Sequence, residues 1–169
     1  MRLFFAIELP EEIKYKLREV LAELKKADLS ASLVKYHQLH ITLLFLGEKT
    51  EEEAAKIIEE VKNIKMGRFT LEIKTAGFFP NENYVRVFWV GSFDANGELK
   101  LLHSKICKAA GAAPDKEYTG HVTLARIKSR DNLNKLRELK GQIEKTDFGD
   151  FLVKEFVLMR SELTARGAE

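Results

Sequence analysis

At 169 residues the chain has the length of one domain, or of two closely packed halves, and enough of it to bury a core. Hydrophobic residues make up 45% and charged residues 32%, an ordinary globular composition with a surface rich in lysine and glutamate. The 28 basic and 26 acidic residues nearly cancel to a net charge of +2. That excludes the broadly basic surface of a non-specific nucleic-acid binder, so any nucleic-acid contact must be local to a cleft.

The first element is the apolar-aromatic run Arg2-Leu3-Phe4-Phe5-Ala6-Ile7-Glu8, closed by Pro10, which predicts a buried strand. It is too short for a signal peptide or a membrane span, and with no targeting segment the expected location is the cytoplasm. Ile13, Leu17, Val20, Leu21 and Leu24 follow at helical spacing behind a pair of glutamates. From Leu39 to Leu46 a strand is predicted, with Leu39, Ile41, Leu43 and Phe45 on one side and His40, Thr42, Leu44 and Leu46 on the other, ended by Gly47. Thr50 is the expected N-cap of a second helix carrying Ala54, Ile57, Ile58, Val61 and Ile64 on one face. Residues 69–77 alternate as a strand, and Pro80-Asn81-Glu82-Asn83 marks a turn.

Beyond that turn the order repeats. Val85 to Val90 reads as a strand, Leu99, Leu102, Ile106 and Ala109 as a helix, and His121 to Ile127 as a strand. Leu133, Leu136 and Ile143 mark another helix, and Phe151 to Met159 a single final strand. The only cysteine, Cys107, excludes an internal disulfide and a cysteine-based zinc site, and in an apolar helical pattern it reads as a buried, inert thiol. The chain is thus strand–helix–strand–helix–strand, written twice. One domain over 1–169 is expected, with pseudo-repeat halves of about 1–80 and 81–169.

The middle strand of each half carries the same tripeptide pattern, His40-Ile41-Thr42 and His121-Val122-Thr123. On a strand the first and third residues share a face, so each histidine projects beside its threonine while Ile41 and Val122 point into the core. An imidazole moves a proton near neutral pH and a hydroxyl hydrogen-bonds a phosphate oxygen. Two such units flanking one phosphate supply both the base and the acid that opening a cyclic phosphodiester requires, with no metal and no cofactor. A lone strand histidine is usually structural. With eight threonines in the chain, however, two histidines each followed by threonine at the same spacing arise by chance only about 1.5% of the time. His37 and His103 lack the pattern and read as structural or surface residues.

His40-Ile41-Thr42-Leu43-Leu44-Phe45-Leu46-Gly47 and His121-Val122-Thr123-Leu124-Ala125-Arg126 closely resemble the paired motifs of the two-histidine (2H) phosphoesterase superfamily, most of all the RNA 2′,3′-cyclic phosphodiesterases, also called 2′-5′ RNA ligases. The opening Arg2 to Pro10 and the late Arg160-Ser161-Glu162-Leu163-Thr164 also look like that family, so the resemblance spans nearly the whole chain. It implies a bilobal α+β fold with pseudo-two-fold duplication, two antiparallel sheets flanking a central cleft and helices outside. It implies hydrolysis of RNA 2′,3′-cyclic phosphate to a 2′-phosphomonoester, and reversible 2′-5′ joining of RNA ends such as tRNA half-molecules, by a monomer. By that resemblance His40 is the proton donor and His121 the proton acceptor, with Thr42, Thr123 and Arg126 binding the substrate phosphate.

Arg126 poses a geometric problem, because a residue five places after His121 on a regular strand points away from the histidine face. A bulge must re-aim it, or it must lie beyond the strand end. Its counterpart Phe45 reads as core, and Phe4 and Phe5 read mostly as core with one able to stack on a base. The chain departs from the family pattern in three places. Tyr118-Thr119-Gly120 replaces an aromatic–X–Pro lead-in, Leu33 to His37 lacks a tryptophan, and the end at Arg166 to Glu169 predicts a shortened last sheet edge. Three rivals remain: a small-molecule cyclic phosphate or cyclic nucleotide phosphodiesterase, a non-catalytic RNA-end binding module, and a two-histidine metal protein. The last is disfavoured because no carboxylate or cysteine accompanies either motif at ligand spacing.

Overall fold

The computed structural model describes residues 1–164 and 167–168. Its elements are β1 (Arg2–Glu8), α1 (Glu11–Lys26), β2 (Ala31–Leu33), β3 (His40–Glu48), α2 (Glu51–Val61), β4 (Phe69–Asn81), β5 (Tyr84–Phe93), α3 (Glu98–Ala110), β6 (His121–Ile127), α4 (Leu133–Ile143), β7 (Asp147–Val153), β8 (Val157–Ser161), β9 (Leu163–Thr164) and β10 (Gly167–Ala168). The fold is α+β, as the sequence predicts. Local chemistry sets the helix ends. Glu11 and Glu12 open α1 after Pro10 and Lys25 and Lys26 close it, each matching the helix dipole. Thr50 caps α2 in a full capping box: its hydroxyl accepts from Glu53 N at 3.1 Å, and the Glu53 carboxylate accepts from Thr50 N at 2.8 Å.

Hydrogen bonding joins the strands in the order β7-β4-β5-β6-β3-β1-β8, with β2 added beside β6. Where two sheets were expected, the path is therefore one eight-stranded antiparallel sheet. It narrows to a single residue pair, Ile41 with Val122, where β3 meets β6. The single final strand expected over Phe151 to Met159 is instead two strands, β7 and β8, which occupy opposite edges of the path. Lys154, Glu155 and Phe156 break it because the chain must cross from one edge to the other, and Phe156 seats its ring edge-on to Phe5 at 5.8 Å. A flat path would hold those edges roughly 29 Å apart at ~4.8 Å per strand. The link Lys154–Phe156 reaches at most about 15 Å. The sheet must curl until its edges approach.

The helices fill the core face. α1 packs with α4 and against β2 and β7, while α2 packs with α3 and α3 against β3. Elements from the two halves of the chain are thus exchanged across the pinch. The core they enclose includes Phe5, Ile7, Leu17, Ile41, Leu71, Phe88, Leu124 and Leu136. Cys107 is buried in it, and burial pushes its thiol pKa up, as expected of an inert thiol. Among the described residues no helix is long and apolar enough to cross a membrane. The expectation for Arg166 to Glu169 falls partly outside the described residues.

Candidate active site

The pinch in the sheet places the two motifs face to face. Ile41 and Val122 pair across it with both side chains fully buried. Extending that antiparallel register by one residue sets His40 across from Thr123 and His121 across from Thr42. All four motif side chains then stand on the face opposite the core. This is the arrangement the alternation predicts, and a single strand pair fixes it.

Each imidazole is oriented by its own backbone. His40 Nδ1 lies 2.5 Å from Gln38 O and His121 Nδ1 lies 3.2 Å from Thr119 O, in each case the carbonyl two residues before. A carbonyl only accepts, so Nδ1 carries the hydrogen in both rings and Nε2 is left to face the cleft. His40 Nε2 is 3.1 Å from Thr42 Oγ1. Burial lowers both histidine pKa values below the ordinary imidazole range. The backbone bonds from Nδ1 work against this shift. The Arg126 charge lowers both further, and the His40 charge lowers His121.

Arg126 reaches both histidines because of a bulge. Along β6, Thr123 pairs with Trp89 and Ala125 with Phe88, so Leu124 has no partner on β5. The extra residue turns Leu124 and Ala125 together into the core and brings Arg126 onto the histidine face. β3 carries the same irregularity in the same place. Thr42 pairs with Ala6 and Leu44 with Phe5, leaving Leu43 unpaired. Phe45 is therefore not core, as simple alternation has it, but 67% exposed on the histidine face. Phe4, opposite Phe45, is buried beneath it and lies 5.1 Å from the His40 ring and 5.8 Å from the Phe45 ring.

The structure adds residues that the sequence reading missed. Phe79 meets the His121 ring edge-on at 4.9 Å, and Trp89 lies 6.0 Å from it. Gly77, paired with Trp89, makes room for the indole, since a Cβ there would stand 2.2 Å from Trp89 Cζ2. A glycine inside an alternating strand, in a chain with one tryptophan, was the available signal. The lead-in to the second motif is anchored as well. Tyr118 donates its hydroxyl hydrogen to Thr42 O at 2.8 Å, and Ser92 Oγ donates to Gly120 O at 2.8 Å. His103 is structural: Nδ1 donates to Leu43 O at 2.7 Å, Nε2 accepts from Asp115 N at 3.0 Å, and Tyr118 stacks on the ring at 4.2 Å. His37 is exposed on a single helical turn. Among the described residues, no group of three or more His, Cys, Asp or Glu side chains is placed to hold a metal ion.

The LigT-like phosphoesterase family model matches residues 7–89 and again residues 94–168. An RNA 2′,3′-cyclic phosphodiesterase of Methanocaldococcus jannaschii is 35% identical over 169 residues, covering 99% of this chain and 95% of the relative. The crystal structure of TT0787 from Thermus thermophilus superposes with a TM-score of 0.78 at 31% identity, over 100% of this chain and 93% of that one. Escherichia coli LigT complexed with 3′-AMP gives a TM-score of 0.72 at 26% identity, over 99% and 91% of the two chains. The chain belongs to the LigT-like phosphoesterase family.

Proposed function

We propose that this protein hydrolyses RNA 2′,3′-cyclic phosphate ends to 2′-phosphomonoesters. The observation that carries the reading is the pairing of two imidazoles, each tethered through Nδ1 to its own backbone so that Nε2 turns to the face shared with Thr42, Thr123 and Arg126. In the forward reaction His121 Nε2 takes a proton from water as its oxygen attacks phosphorus. The P–O3′ bond breaks, and His40 Nε2–H gives its proton to the departing O3′. The Arg126 guanidinium offsets the charge that builds on the non-bridging oxygens, with the two threonine hydroxyls as further donors. If a ribose 5′-hydroxyl attacks in place of water, the same transfers form a 2′-5′ linkage, so ligation of RNA ends is the same chemistry with another nucleophile.

The aromatic residues around the motifs favour a nucleotide over a small cyclic phosphate. Phe79 and Trp89 flank His121 and Phe45 is exposed over the buried Phe4 beside His40, so all three offer faces for bases. We take the substrate to be the RNA end itself, held by a monomer. The test is incubation with an oligonucleotide ending in 2′,3′-cyclic phosphate, in EDTA, followed by identification of the product. The expected product is the 2′-phosphate. No turnover until zinc or magnesium is restored would sink the two-imidazole mechanism, and tight binding without turnover would make this an RNA-end binding module.

A further inference from the structure

We propose that a second nucleoside subsite, lined by Thr75, Phe79 and Trp89, lies on the side of His121 away from His40. It takes the ribonucleoside whose 5′-hydroxyl attacks the cyclic phosphate. The inference rests on the cyclic-phosphate reading above and deepens it by assigning the nucleophile a binding site of its own.

The strand order β4-β5-β6-β3 sets His40 on one side of His121 and puts β5 and β4 on the other. Three irregular features converge on that outer side. The first is in β4, whose pairing with β5 passes from Ile73 opposite Ser92 to Ala76 opposite Val90, so Lys74 and Thr75 bulge against Gly91. Thr75 holds a φ of +68° there, a left-handed conformation that a β-branched residue rarely adopts. The second is Gly91 itself, which pairs with His121 and would turn any side chain onto the histidine face. A Cβ at Gly91 would stand 2.5 Å from Thr75 Oγ1 and 3.2 Å from Trp89 Cζ3, so the hydroxyl and the indole edge fill that place. Thr75 is exposed, and its hydroxyl is open to a ligand. The third is Trp89, whose Nε1 is, among the described residues, the only buried side-chain nitrogen or oxygen without a hydrogen-bond partner. Phe79 stands 5.0 Å from the indole and meets His121 edge-on at 4.9 Å. A strained threonine and an unpaired buried N–H both lower stability. Any apolar side chain would wall an imidazole without either penalty.

An in-line displacement sets the entering oxygen opposite the leaving one. With O3′ at His40 the entering oxygen sits at His121, and whatever it carries extends away from His40, over β5 and β4. Water carries nothing there. A ribose 5′-hydroxyl carries a nucleoside, whose base meets the faces of Phe79 and Trp89 and whose ribose meets the Thr75 hydroxyl. The 5′ oxygen bonds to phosphorus as its proton passes to His121 Nε2. The P–O3′ bond breaks, O3′ takes the proton of His40 Nε2, and a 2′-5′ diester remains.

The experiment offers adenosine 2′,3′-cyclic phosphate two competing alcohols in one tube, adenosine and methanol, and measures the 2′-5′ dinucleoside formed against the methyl ester. Both products come from the same enzyme, so a general loss of activity in a variant cancels from the ratio. Wild type should favour adenosine, mole for mole. The ratio should fall about 5- to 150-fold in Trp89→Leu, the span of one lost base stack. It should fall about 2- to 13-fold in Thr75→Val, the span of one lost hydrogen bond, and return in Thr75→Ser. Thr75→Gly relieves the backbone, so its denaturation midpoint should rise while its ratio falls as in Thr75→Val. No preference for adenosine in wild type, or a ratio unchanged in Trp89→Leu and Thr75→Val, overturns the proposal and leaves hydrolysis standing. Wild type that does not open the cyclic phosphate even with water overturns the cyclic-phosphate reading itself, and the proposal with it.

Discussion

β3 and β6 carry nearly the same local sequence and the same fold device, yet they are supported differently. Each begins with a histidine whose Nδ1 is tethered to the carbonyl two residues before it, and each bulges one residue after its threonine. A bulge frees a carbonyl that must find another donor. On β6 the carbonyl of Leu124 accepts from the backbone N–H of Val34 at 2.9 Å, because β2 lies alongside. On β3 the carbonyls of Thr42 and Leu43 are satisfied by side chains, Tyr118 and His103, from the far half of the chain. The lesson is that one half of the site is braced by backbone, which few substitutions can remove. The other half depends on a stacked pair of side chains.

The sharpest test asks whether the two halves are catalytically equal. His40→Ala and His121→Ala should each lower kcat about 10²–10⁴-fold, the usual worth of a general acid or base, with circular dichroism unchanged. Near wild-type turnover in either variant would break the paired-site reading.

The next largest effect belongs to the residue present in one half alone. Arg126→Gln should cost about 10²–10³-fold in kcat, as for loss of one donor to a developing oxyanion, and Arg126→Lys less. The kcat/KM profile against pH should be a bell, since the proposed mechanism starts with His121 neutral and His40 charged. With both pKa values lowered by burial, the bell lies on the acid side of the ordinary imidazole value of about 6.5. Arg126 lowers both histidines, so its removal should move the bell to higher pH. A bell that stays put in Arg126→Gln would separate the guanidinium from the histidines.

The difference in bracing predicts a smaller and one-sided effect. His103→Phe leaves the buried Leu43 O without its partner, at about 1–3 kcal/mol for a buried group left unpaired, and releases the N–H of the exposed Asp115 to water. Tyr118→Phe removes one hydrogen bond to Thr42 O, worth about 1 kcal/mol. Both should lower the denaturation midpoint, and amide exchange should quicken along β3 more than along β6. Equal loosening of the two strands would refute the contrast.

The smallest effect is on stability against pH. Because the folded pKa values of His40 and His121 are lowered, the unfolded chain binds more protons as pH falls. The stability these groups lend is whole above the ordinary imidazole range and is lost as pH drops through it toward the folded values. Urea denaturation at pH 7.5 and 5.5 should show a larger loss for wild type than for a His40→Asn, His121→Asn double variant.

Much of this protein is legible in its sequence because the deciding forces are local. Alternation put His40 beside Thr42 and His121 beside Thr123, with Ile41 and Val122 in the core. Thr50 announced its own N-cap, and the four helices and the strands β1, β3, β4, β5 and β6 followed from apolar period, whereas the short β2 did not. What alternation could not reveal is where it skips. A bulge is set by the partner strand, so only the pairing of β3 with β1 and of β6 with β5 shows that Phe45 leaves the core and Arg126 enters the cleft. The break of the last strand at Lys154–Phe156 has the same origin: Phe151 to Met159 is uniformly strand-like, and only the curl of the sheet sends its two ends to opposite edges. Residue chemistry and spacing determined which groups could react. The three-dimensional pairing of strands far apart in the chain decided which of them face each other.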